Sequence, residues 1–145
     1  MDEFFTRLYE WFGLIPVYSK DLDEFLRGWD YGCTGYFALH WYLLVGLFMV
    51  VTTALLFGLQ YDLISGKRFK KNRHWELAAL MIVILNFSFA FTVPFVALET
   101  GRHCLRLKLA TLDCIGFGLS NAVWAFILFS MLSLGQLAIS KIVKR

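Results

Sequence analysis

Cys33, Cys104 and Cys114 carry the most reactive side chains of the sequence. Thiols in an oxidising compartment pair into disulfides, and an odd count leaves at least one unpaired within the chain. Spacing leaves open whether Cys33 joins Cys104 or Cys114, or whether all three serve as small apolar residues near a membrane rim. Metal binding has little to rest on: His103 and Cys104 adjoin, but no Cys-x-x-Cys or His-x-x-x-His pair accompanies them.

A second set of residues is polar and uncharged, and sits inside long apolar runs. Gly46, Thr53 and Gln60 recur at every seventh position, Ser88 and Thr92 share a helical face with Glu99, and Gly118, Asn121, Ala125, Gln136 and Ser140 share another. Such stripes have two uses. They can line a narrow aqueous path between subunits, because polar groups in lipid are costly unless they face water or one another. They can also be packing faces, where Gly lets backbones approach and Asn, Gln, Ser or Thr hydrogen-bond across the contact. Asn86 and Asn121 lie most centrally and each needs a partner. His40, alone near one end of its run, reads as an interfacial histidine rather than a haem ligand or pH switch.

The third set is a basic block. Lys67, Arg68, Lys70, Lys71 and Arg73 fall within Gly66–Glu76, between two apolar runs. Lys and Arg near spanning segments stay on the cytoplasmic side, where they meet anionic lipid, and the same groups could grip a phosphate-bearing partner. No Gly-rich phosphate cradle, Ser/His/Asp set or facing carboxylate pair accompanies them, so neither an enzyme, a cofactor, a metal site nor direct nucleic-acid binding is expected.

These residues need elements to hold them, and the composition says which kind. With 59% hydrophobic and 17% charged residues, the chain is well above the apolar content and below the charge content of soluble domains. It reads as an all-α integral membrane protein: a single membrane domain over 1–145, with three transmembrane helices preceded by two short amphipathic helices, forming a homo-oligomeric bundle. The expected spans are 36–61, 77–98 and 115–139, each near the ~20 residues that cross a bilayer or longer. No Asp, Glu, Lys or Arg interrupts 36–61, and none lies mid-span elsewhere, which speaks against a proton pump, an ion-coupled transporter or a voltage sensor. Pro94 frees a carbonyl inside the second span and is expected to kink it.

Residues 1–35 form an acidic, aromatic, extracytoplasmic region. Phe4, Phe5, Leu8, Trp11, Phe12 and Ile15 share one face of a helix over 3–15 that Pro16 stops. Ser19 or Asp21 can cap a second helix running to about Tyr31, which Gly32 is placed to end. Both helices are expected to pack on the extracytoplasmic rim. The basic loop 62–76 and the tail 140–145, with Lys141, Lys144 and Arg145, lie inside; the hairpin 99–114 lies outside, its alternation of Leu105, Leu107 and Leu109 with Arg106 and Lys108 fitting a strand or an interfacial helix. N-terminus out, C-terminus in, and a bacterial inner membrane follow.

In this layout the chain is similar to the three-span class of phage holins, which oligomerise into membrane lesions, and to the small multi-span effectors of bacterial defence operons. The resemblance covers architecture and no residue motif; the long acidic N-terminal region and the tail of only three basic residues depart from the holin pattern. The expected function is a small oligomeric membrane protein that forms or gates an ion-permeable or membrane-permeabilising pore. Its expected partners are membrane lipids, further copies of itself, and a separately encoded regulator or complex partner. The alternative is a non-conducting anchor or assembly subunit of a larger membrane complex.

Overall fold

The computed structural model describes residues 2–10, 18–29, 32–36, 40–65 and 71–143; for 2, 61–65, 71–74 and 136–143 it describes the helical backbone alone. Five helices follow in order among these residues: α1 (Asp2–Tyr9), α2 (Lys20–Leu26), α3 (Trp41–Ser65), α4 (Lys71–Thr100) and α5 (Thr111–Val143). No strand occurs among them, only an isolated antiparallel bridge between Trp29 and Tyr36.

Three stretches, Trp41–Gln60, Trp75–Thr100 and Thr111–Gly135, are helices long and apolar enough to cross a membrane. The chain is thus, by length and composition, a multi-span membrane protein. Each long helix extends past the apolar run that signals it. α4 starts at Lys71 and not near Leu77, because a helix that leaves the hydrocarbon layer can continue through polar residues that hydropathy does not count. This puts Lys71 and Arg73 in the first turn of α4, whereas Lys67, Arg68 and Lys70 lie outside the described residues. α5 likewise begins at Thr111, with Asp113 in its first turn where a carboxylate suits the positive helix end. α3 starts at Trp41, later than Tyr36, whose ring instead packs edge-on against Trp29 at 4.6 Å. The helix of α4 runs unbroken through Pro94.

α3, α4 and α5 pack into a bundle with small residues at the closest approaches. A Cβ on Gly118 would come within 3.0 Å of the Phe87 ring and 3.2 Å of the Phe87 carbonyl oxygen, so α5 passes α4 at a distance that leaves little room for a larger residue. Phe48 of α3 stacks on Phe89 of α4, with ring centroids 3.9 Å apart.

The N-terminal helices depart from expectation in extent and place. α1 ends at Tyr9, and residues 11–17, including Pro16, lie outside the described residues. It does not rest on the rim. Phe5 and Tyr9 are buried against α3 and α5, and a Cβ on Gly46 would overlap the Phe5 ring. The glycine of the period-seven stripe in α3 is thus a socket for a side chain of α1.

α2 is capped by Ser19, whose hydroxyl accepts from the Leu22 N–H; Asp21 is not the cap. It ends five residues short of Tyr31, because Gly28 takes φ 91 and closes the helix with Gly28 N–H to Phe25 O and Trp29 N–H to Glu24 O. That is a Schellman end, and Gly101 closes α4 the same way through Leu98 O and Ala97 O. Between α4 and α5 the chain is neither strand nor helix but a series of turns.

Candidate functional site: a polar chain inside the bundle and a polar row outside it

The central polar residues are joined in one buried line crossing four helices. Tyr9 of α1 donates its hydroxyl to Asn121 Oδ1 of α5 at 2.6 Å. Asn121 Nδ2 donates to the Asn86 carbonyl of α4 at 2.8 Å, and Asn86 Nδ2 donates to Ile82 O at 3.0 Å and to Thr52 Oγ1 of α3 at 3.2 Å. Thr52 passes its own proton to Phe48 O at 2.8 Å. Asn86 and Asn121 are 0% exposed. An unbonded amide at that depth is costly, and here one chain supplies every partner named, so these amides tie its helices together. Around them Tyr9 stacks on Tyr42 at 5.7 Å and meets Phe117 edge-on at 5.2 Å. Burial first, then the Tyr18 phenol nearby, push the Tyr9 hydroxyl well above its ordinary ionisation range, so it remains a donor.

The stripe in α3 also turns inward. Thr53 is buried, and its Oγ1, like Gln60 Oε1, has no hydrogen-bond partner among the described residues. Gln136 lies in the part of α5 whose side chains are outside the described residues. Ser88 and Thr92 do the opposite: both are exposed on the outer face of α4, in line with Glu99. The Thr92 hydroxyl donates to Ser88 O at 2.6 Å. The predicted residues therefore divide, with Thr53 and Asn121 inside the bundle and Ser88 and Thr92 outside it.

A second polar cluster closes the end of the bundle where α3 and α5 begin. Asp113 accepts from both Ser19 N–H at 3.0 Å and Ser19 Oγ at 2.9 Å. Asp21 accepts from Lys108 N–H at 3.0 Å. Asp23 accepts from Tyr42 Oη at 2.7 Å and Arg27 Nε at 2.9 Å, and Arg27 reaches Glu10 at 2.6 Å. Because the Tyr42 proton points to Asp23, the 2.8 Å contact between Tyr18 and Tyr42 has Tyr18 as donor. Burial works against the charged guanidinium of Arg27, but Asp23, bonded to it, and Glu10 outweigh that and raise its pKa. Burial likewise pushes the Tyr18 phenol up, with the charges of Asp23 and Glu10 adding to it. The acidity of the N-terminal region thus has a local use: its carboxylates accept hydrogen bonds that clip α2 to the bundle.

Covalent closure comes from Cys33 and Cys104, which form a disulfide spanning 71 residues of sequence with Cα atoms 5.3 Å apart. Cys114 is free and buried in the first turn of α5. Cys33 holds φ 57, a left-handed conformation that most residues avoid. Among the described residues no group of three His, Cys, Asp or Glu side chains is placed to hold a metal.

The sequence pointed to Asn86 and Asn121 as groups that need partners, and to the three cysteines. It gave no sign of Tyr9, Thr52 or the Asp113–Ser19 clip. Phe5 four residues before Tyr9, both apolar-faced and ahead of a glycine in the first span, is the trace that could have marked α1 as inserted. Compared with family models, curated proteins and solved structures, the chain matches none.

Proposed function

We propose that this chain works as a homo-oligomer in a bacterial inner membrane, N-terminus out and C-terminus in, and that it forms or gates a pore lined by the outer face of α4. The observation that carries this reading is the row Leu77, Met81, Ile84, Ser88, Thr92 and Glu99, all exposed on one side of α4. Asn86, Asn121 and Thr52 are bonded within one chain and Thr53 is buried in it, which leaves this row as an exposed polar surface available to a second copy. Copies meeting along it place Ser88, Thr92 and Glu99 at the hairpin end of a shared path. Leu77, Met81 and Ile84 then form an apolar constriction at the loop end, which holds water out until it widens. The basic loop Lys67–Arg73 sets orientation and offers a regulator its contact.

A second reading is a non-conducting assembly subunit that uses the same face against another protein. It is favoured by the Thr92 and Thr100 hydroxyls, which return to Ser88 O and Val96 O of their own helix and so do not demand water. Self-association separates the two. A discrete homo-oligomer of the protein expressed alone and extracted in mild detergent supports the pore, and a monomer supports the subunit.

A further inference from the structure

We propose that the turns between α4 and α5 form an anionic phospholipid headgroup clamp at the end of the bundle opposite the basic loop. This goes beyond the pore or subunit reading and rests only on the spans. Leu105 is 88% exposed and Leu112 is 79% exposed, an extreme position for leucine in water and an ordinary one at the boundary of a bilayer. Between and beside them Arg102, Arg106 and Lys108 are exposed, and among the described residues none of their side chains joins an ion pair. The segment begins where one spanning helix ends at Thr100 and finishes where the next starts at Thr111, so it sits at headgroup level when those helices span.

The pattern of inward and outward residues separates this surface from a generic loop. Leu107 and Leu109 pack on the core, whereas Leu105 turns out with the bases. The segment is also held in place at several points. Cys104 is buried and bonded to Cys33, His103 Nδ1 donates to Ala97 O at 3.1 Å, Leu107 N–H closes a turn to Cys104 O at 2.9 Å, and Lys108 N–H is held by Asp21. The neighbouring carboxylates of Asp21 and Asp113 accept from Lys108 N–H and from Ser19 on the side of α2, while Glu99 stays on α4. Cations carried on an anchored backbone beside apolar side chains meet a phosphodiester with less ordering cost than those of a free loop, as the leucines enter the acyl boundary.

The test reconstitutes the full chain in vesicles of equal phosphatidylglycerol and phosphatidylcholine, extracts it gently, and measures the lipid retained by mass spectrometry. Wild type should enrich phosphatidylglycerol. The variant Arg102→Gln/Arg106→Gln/Lys108→Gln should lose about fivefold of that enrichment for each base that contacts headgroups. Arg102→Lys/Arg106→Lys, which keeps the charge, should retain it, and this pair keeps the test decisive if the neutral variant folds poorly. Neutralising Lys67, Arg68, Lys70, Lys71 and Arg73 reports the opposite end separately and should leave the hairpin share intact. Equal retention of the two lipids by wild type, unchanged enrichment in the neutral variant, loss in the lysine pair, or loss of all enrichment on neutralising the loop would each overturn the clamp.

Discussion

Tyr9 and Asn121, 112 residues apart, share a 2.6 Å hydrogen bond in the buried centre of the bundle, and through it the short N-terminal helix becomes part of the bundle's core. Tyr9→Phe keeps the ring contacts to Tyr42 and Phe117 but leaves Asn121 Oδ1 without its donor. The expected loss is about 1 to 2 kcal/mol, the upper range for such bonds in membranes. Unfolding in detergent, with a cycle through Asn121→Ala, measures it. Additive effects would mean that the two side chains do not act together.

Gly46 and Phe5 make a second, independent test of the same docking. Gly46→Ala puts a methyl group into the space of the Phe5 ring and should cost about 1 to 3 kcal/mol, as overpacking does. Hydrogen exchange over α1 should rise accordingly. Adding Phe5→Ala removes the ring that clashes and should restore part of the protection in α1.

These two contacts also mark where the sequence is informative. The long apolar runs announce α3, α4 and α5, because a membrane imposes length and composition on a single segment. Asn86 and Asn121 declare that they need partners, because a central amide cannot go unbonded. Which partner each takes depends on contacts between distant segments: Phe5 meeting Gly46, Asn121 reaching the Asn86 carbonyl, Asp113 holding Ser19. Pairings of that kind leave no periodicity. Helix ends fail for a local reason, since Gly28 and Gly32 are both plausible stops and the conformation at Gly28 decides between them.

Cys33 and Cys104 predict a thiol count. Oxidised protein should show one reactive thiol, Cys114, and only after denaturation. Reducing the bridge should lower the melting temperature. For a separation of 71 residues the chain-entropy ceiling is about 4 kcal/mol, and the measured loss should fall below it because spans held in lipid are already confined when unfolded. Three reactive thiols in non-reduced protein would contradict the pairing.

Tyr9 and Tyr18 set an alkaline limit. Burial raises both phenols above their ordinary value of 10.0, so the stability they contribute is fully present below that pH and is lost as pH rises from there toward the folded values, when only the unfolded chain ionises. The expected slope is about 1.4 kcal/mol per pH unit for each tyrosine. The phenolate absorbance of these residues should appear together with loss of structure, and Tyr18→Phe should flatten the slope. Ionisation without unfolding would contradict it.

Ion flux through reconstituted vesicles decides whether the outer row of α4 faces water in an assembly of copies. In a Cys114→Ala background, Thr92→Cys should conduct and then be blocked by a charged, membrane-impermeant thiol reagent, whereas Leu134→Cys, exposed on α5, should conduct and stay unaffected. No flux from any of these proteins, or equal indifference of Thr92→Cys and Leu134→Cys to the reagent, would place the row against lipid or another protein and contradict the pore.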